Sequence, residues 1–187
     1  MLKGADSAHG SFQLLFAFYW IMTDILDFFE NAVNRADGGL RFHLMLASKR
    51  IRIIIDHLKV ALEEVGIELR ERPGDEYMRR ILGAISVETL ENIRGVFESL
   101  IKEQGSGGRR GAFWLSYKLT EIADVICIVS SLLKHIAADL NNCSDERSWR
   151  VFLILQIVVR DLEVIVNVHH HLASNPGMLI KDLRLNS

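Results

Sequence analysis

The chain has 187 residues, 49% of them hydrophobic, with 22 basic and 24 acidic side chains and a formal net charge of -2. This length fits one domain that can bury a hydrophobic core without the help of disulfides or metals. A charge so close to neutral excludes any whole-molecule electrostatic argument for binding nucleic acid or anionic lipid.

The chain contains only two prolines, Pro73 and Pro176, and a few glycine-rich breaks. Between these breaks, apolar residues recur every three or four positions, which is typical of long helices. We therefore predict an all-α protein: a single-domain bundle of five long helices plus one or two short ones, with antiparallel neighbours and a central apolar helix. The long helices are predicted over residues 11–36, 40–72, 86–104, 112–141 and 144–173, and a short one over residues 75–82.

The predicted domain spans residues 1–187, with a polar tail at 1–10, a short amphipathic tail at 178–187 and a flexible Gly/Ser loop at 104–111. Ser11 is the predicted N-cap of the first helix. Residues 12–22 of that helix are apolar nearly all round, but they fall short of the about 18–20 residues that span a membrane. Asp24 and Asp27 follow this run at once. We expect no membrane-spanning segment and no signal peptide here.

The second predicted helix carries a narrow apolar stripe formed by Ile53, Val60 and Ile67 and a wider one, its seam. The seam consists of Leu40, Leu44, Ala47, Ile51, Ile54, Leu58, Ala61, Val65 and Leu69. Two stripes indicate contact with two neighbouring helices. The charges of this helix are also polarised, which opposes the helix dipole at both ends and points to surface partners. The basic residues Arg41, Lys49, Arg50, Arg52 and Lys59 come early, and the acidic residues Glu63, Glu64, Glu68 and Glu71 come late.

The last two long helices have the clearest bundle seams. The seam over 112–141 consists of Leu115, Leu119, Ile122, Ile126, Val129, Leu133, Ile136 and Leu140. The seam over 144–173 consists of Val151, Leu155, Val158, Leu162 and Ile165. Leu153 and Ile157 fill further faces of the last helix, which is predicted to be the most buried. Ser144, Asp145 and Glu146 mark its start.

Two groups of candidate ligands, the histidines and the cysteines, give no metal or cofactor site. His169, His170 and His171 point about 100° apart on a helix, so they cannot converge on one tetrahedral metal. Histidines in a last turn instead complement the negative helix end. Cys127 and Cys143 are predicted to be reduced thiols too far apart to bridge, with Cys127 in the core. We predict no cofactor, no bound metal and a cytoplasmic location, with contact to a membrane surface left open.

Arg52 and His57 are separated by four residues, 53 to 56. This spacing resembles the active-site motif of HEPN-type helical ribonucleases over six residues of the chain. The resemblance implies that Arg52 and His57 act on RNA phosphate at a dimer interface, with Lys49 and Arg50 supplying charge. Ile53 stands where the family often has a polar residue. An alternative reading is a solvated basic face beside a core stripe.

The leading functional hypothesis is a non-enzymatic protein-interaction module, either an adaptor or a self-associating protein. The surplus of apolar helix surface motivates it. One alternative is a bundle that binds an apolar ligand or a membrane, with a cavity lined by Phe16, Trp20, Ile126 and Val158. A second alternative is the ribonuclease, although nucleic acid is not an expected partner. The candidate interaction or ligand residues are Phe12, Phe16, Tyr19, Trp20, Arg41, Lys49, Arg50, Arg109 and Arg110.

Overall fold

A computed structural model describes residues 3–34, 36–74, 76, 78 and 109–175, with side chains of the first and third helices described from Gly10 and Leu119 onward. Over these residues the protein is helical and contains no strand, as predicted. The helices are α1 (Lys3–Asn34), α2 (Gly38–Glu64), α3 (Arg109–Asn141) and α4 (Glu146–Ala173). The helix predicted over 86–104, most of the one over 75–82 and the tail at 178–187 lie outside the described residues.

The helices form two hairpins, α1 with α2 and α3 with α4, which pack together through α2 and α4. Arg50 in the first half of α2 pairs with Asp161 in the second half of α4, at 2.9 Å. Glu64 at the end of α2 lies 3.5 Å from Arg150 at the start of α4. These pairs show that α2 and α4 run antiparallel, as the sequence predicts for neighbouring helices.

The predicted seams form the core. In α2, α3 and α4 the seam residues with described side chains are buried, except that Val65 and Leu69, beyond the end of α2, are half-buried. Burying one aliphatic side chain of this size contributes roughly 1.5–3 kcal/mol, whereas an exposed ion pair contributes about 1 kcal/mol or less. The seams, rather than the ion pairs between helices, therefore hold the hairpins together.

α2 ends at Glu64, although its apolar pattern predicted a helix to residue 72. Gly66 adopts a φ of 78°, in the left-handed region that favours glycine. The Gly66 amide donates to the Glu63 carbonyl and the Ile67 amide to the Leu62 carbonyl, at 3.0 and 2.9 Å. This is the Schellman arrangement that ends helices. Ile67 and Leu69 still pack against the core, which explains why the apolar pattern continues past the helix.

The starts of α1 and α3 also differ from the predicted helix boundaries, because the sequence has no strong helix-start signal there. α1 begins at Lys3, so residues 3–10 are helical rather than a tail, and Ser11 lies inside the helix instead of capping it. Gly10 costs the helix only about 1 kcal/mol, so it does not stop it. Residues 109–111, predicted as loop, belong to α3.

The start of α4 is where the sequence predicts it, and Asp145 is the residue that caps it. The amide and the hydroxyl of Ser148 donate to the two carboxylate oxygens of Asp145, at 2.9 and 2.6 Å. These hydrogen bonds from Ser148 lower the pKa of Asp145 below its usual value. The ionised cap therefore satisfies an amide that would otherwise lack a partner at the helix start.

Candidate interaction surface

Three aliphatic side chains of α2 point away from the core. Leu46, Ile53 and Val60 are 37%, 45% and 46% exposed, and seven residues separate each from the next. Residues seven apart lie on nearly the same face of a helix, so the three form one stripe, which Phe42 extends by a turn. The sequence predicted that Ile53 and Val60 touch a second neighbour. α2 does contact two helices, α1 and α4, but no described helix covers Ile53 or Val60.

α4 exposes a similar stripe. Leu153 and Ile157 are each 46% exposed, and Trp149, one turn earlier, is 48% exposed. The sequence predicted that Leu153 and Ile157 fill further buried faces of the most buried helix, and the structure corrects this. α4 packs against α2 on one side and α3 on the other, which leaves a third side open within the described part of the chain.

The ion pair between Arg50 and Asp161 shows how the two stripes are related. Ile53 lies three residues after Arg50, and Ile157 lies four residues before Asp161. Residues three or four apart share one side of a helix, so both isoleucines lie beside the α2–α4 contact. Ile54 is fully buried whereas Ile53 is 45% exposed, so Ile53 lies on the outer side of this contact.

The ion pair between Arg150 and Glu64 shows the same relation at the end of α2 and the start of α4. Leu153 lies three residues after Arg150, and Val60 lies four residues before Glu64. The exposed aliphatic side chains of both helices therefore lie on one continuous surface. We call this surface the outer face; it consists of Leu46, Ile53, Val60, Leu153 and Ile157.

Two charged residues lie within the α2 part of the outer face. Lys49 and Asp56 fall between Leu46, Ile53 and Val60 at spacings of three and four residues. Both are exposed. Neither forms an ion pair with any residue in the described part of the chain. The stripe is thus apolar apart from one basic and one acidic position.

The other predicted interaction residues are dispersed. Phe12, Phe16, Tyr19 and Trp20 of α1 are half-buried and pack against the core, with Trp20 edge-on to both Tyr19 and Phe16. Arg41 is exposed on α2, and Arg50 is held by Asp161. Arg109 and Arg110 are the first two residues of α3.

α1 is long enough and apolar enough to cross a membrane, contrary to the expectation from the sequence. The segment Gly10–Asn34 has a mean hydropathy of 1.4 in its best 18-residue window. Of that window, 39% is buried inside the protein. The core helix of a soluble protein and a signal sequence near an N-terminus have the same length and composition, so these two properties alone do not place α1 in a membrane.

Arg52 and His57 are not brought together. Arg52 pairs with Glu30 of α1, while the His57 Nδ1 atom lies 2.8 Å from the Ile53 carbonyl oxygen. Five residues correspond to roughly 140° around a helix, so the two side chains leave α2 in different directions. Within one copy of the chain they do not converge on a single phosphate.

The three consecutive histidines also separate. His169 is 1% exposed, its Nδ1 atom lies 2.6 Å from the Ile165 carbonyl, and its ring packs edge-on against Phe29. Burial lowers the pKa of His169 to about 4. The neutral ring therefore donates from Nδ1, while its buried Nε2 atom has no hydrogen-bond partner among the residues that the structure describes. His170 and His171 are exposed, and no cluster of three or more metal-binding side chains occurs among the described residues.

A cavity of about 380 Å³ lies between α3 and α4. It is lined by Cys127, Ser130, Ser131, Lys134, Glu163, Val166 and Asn167. None of the residues predicted to line an apolar cavity lies there, and Ile126 and Val158 are fully buried in the core. Cys127 is exposed, which corrects its predicted place in the core, because it follows the seam residue Ile126 by one position. Although the residue is exposed, partial loss of water around its thiol, together with the nearby Asp124, raises the pKa of Cys127.

In comparisons with known proteins, no family model, no curated protein and no solved structure matches this chain. The geometry of the outer face and of α1 is therefore the basis for a functional proposal.

Proposed function

We propose that this chain is a non-enzymatic helical protein-interaction module and that the outer face is where its protein partner binds. The observation that carries the proposal is the shared orientation of five exposed aliphatic side chains across two helices. Single exposed apolar residues are ordinary on protein surfaces, but a contiguous apolar patch is typical of an interaction site. The proposal keeps the predicted single domain over residues 1–187 with five long helices, and a cytoplasmic location.

The chemistry around the outer face supports docking rather than catalysis. Its aliphatic side chains offer no nucleophile, acid or base, and its charged residues Lys49 and Asp56 lie seven residues apart along α2. The flanking Arg50 and Arg150 are already paired with carboxylates. Such a face resembles a protein interface, in which an apolar centre is surrounded by a polar rim. The partner gains affinity by removing the aliphatic side chains from water, while the rim determines its orientation.

Site-specific photo-crosslinking tests the proposal without knowledge of the partner. A photoreactive amino acid is placed at Ile53 or Ile157, and the full-length protein is irradiated both when purified and in extracts of cells that produce it. We expect the same discrete protein adduct from both positions, and its loss when Val60→Asp is added. The matched control position is Asp139, which is exposed on α3. Adducts at Asp139 alone, or at none of the positions, would overturn the proposal.

A second candidate function is binding to a membrane surface through α1. The apolar segment Gly10–Asn34 favours it. The half-buried rings of Phe16, Tyr19 and Trp20 would enter the lipid headgroup region, where aromatic side chains are favoured. The aliphatic residues of the outer face would then stay in water, so the two candidate functions use different surfaces.

Flotation with liposomes distinguishes these surfaces. If α1 binds membranes, the wild-type protein floats with phosphatidylcholine vesicles, and Phe16→Asp and Trp20→Asp each reduce the floating fraction at least about tenfold by placing a charge in lipid. Ile53→Asp is the matched control and should float like the wild type. A wild-type protein that stays at the bottom of the gradient removes the membrane candidate.

A further inference from the structure

The charges of α2 indicate what covers its exposed stripe. Leu46, Lys49, Ile53, Asp56 and Val60 alternate three and four residues apart, the spacing of a helix seam that packs against another helix. Burying a charged side chain in such a seam is costly unless an opposite charge meets it. Since Lys49 and Asp56 have no ion-pair partner in the described part of the chain, a suitable partner helix must offer an acidic and a basic group at matching positions.

We infer that this partner is α2 of a second copy of the chain, which packs antiparallel across a twofold axis. The inference rests on the proposed function, because it takes the outer face as a docking surface. Lys49 and Asp56 are equally far from a point between Arg52 and Ile53. A twofold axis through that point places Lys49 opposite Asp56 of the partner subunit, and the symmetry repeats the pair. A parallel arrangement would instead place like charges opposite each other.

The apolar residues fit the same register. Ile53 lies next to the axis and meets its own copy in the partner. Val60 lies opposite Met45 of the partner subunit, and Met45 is itself 42% exposed. Leu153 and Ile157 of α4 extend the apolar contact along the side of α2. One surface can therefore complement itself, which is the condition for a closed twofold dimer.

Charge reversal tests the register. We expect the wild-type protein to sediment as a dimer at low micromolar concentration, and Lys49→Glu or Asp56→Lys to raise the dimer Kd at least about tenfold, because each creates two like-charge pairs. Mixing the two single variants should restore a dimer, because Glu from one variant then faces Lys from the other. The double variant should also dimerise like the wild type. The control is Asp139→Lys, because Asp139 is exposed on α3 and lies outside the outer face. This variant should leave the dimer Kd unchanged.

The outcomes separate the inference from the proposal on which it rests. A monomeric wild type whose position 53 crosslinks to a different protein overturns the second copy but keeps the interaction module. If the protein is a monomer and position 53 crosslinks only within its own chain, or to nothing, both the second copy and the interaction module are overturned. A dimer that neither single charge reversal weakens overturns the antiparallel register.

Discussion

Acidification from pH 7.5 to pH 4 is expected to remove about 3 kcal/mol of folding stability through His169 alone. Burial lowers the pKa of this side chain from 6.5 to about 4 in the folded protein. Between these two values the unfolded chain binds a proton at this position and the folded chain does not, so stability falls as the pH falls. The contribution is fully present above the unfolded pKa and is lost as the pH approaches 4.

Urea unfolding at a series of pH values measures this effect. His169→Leu keeps an apolar side chain of similar size against Phe29 and removes the titrating group. The difference in unfolding free energy between the wild type and this variant should change by about 3 kcal/mol between pH 7.5 and pH 4. His171→Leu is the matched control because His171 is exposed, and it should follow the wild type. Parallel pH profiles for the wild type and His169→Leu would show that His169 is not buried as described.

The second large effect is a difference in folding stability between variants of two adjacent isoleucines of α2. Ile54→Ala should destabilise the protein by about 3 kcal/mol, because Ile54 is fully buried and its loss leaves a cavity. Ile53→Ala should change the unfolding free energy by less than about 1 kcal/mol, because Ile53 is 45% exposed in one copy of the chain. Denaturant unfolding at submicromolar concentration, where association is weak, measures both values.

The same two variants should rank in the opposite order when dimer formation is measured. Ile53→Ala should raise the dimer Kd at least about tenfold, since Ile53 lies at the centre of the proposed contact. The folded fraction of Ile54→Ala should dimerise with the Kd of the wild type, since Ile54 faces the core. Equal losses of stability from the two variants would mean that a part of the same chain covers Ile53.

The all-helical fold could be predicted because the seams repeat over many turns. The seam residues are buried as their spacing requires, from Leu119 to Leu140 in α3 and from Val151 to Ile165 in α4. The end of α2 could not be predicted from periodicity, because Ile67 and Leu69 continue the apolar pattern after the helix has ended. Gly66 was the available signal, since a glycine near the end of a helical pattern is a common C-terminal cap.

The candidate surface could be predicted only in part. The spacing of Ile53 and Val60 showed that α2 has a second apolar stripe, and Lys49 was recognised as a candidate. The sequence pattern does not tell whether a helix of the same chain covers such a stripe, because that depends on contacts between distant residues. The pair of Arg50 and Asp161, 111 residues apart, places the stripe beside α4, and no local pattern predicts that pairing.

Disulfide trapping at the proposed twofold axis tests the central claim most directly. In a chain in which Cys127 and Cys143 are replaced by serine, Ile53→Cys lies next to its own copy, within reach of a disulfide. Val60→Cys lies roughly 22 Å from its copy along antiparallel helices. Under mild oxidation at low micromolar concentration, we predict rapid covalent dimers from Ile53→Cys and almost none from Val60→Cys. Equal trapping at both positions, or none at Ile53→Cys, would contradict the antiparallel pairing of α2.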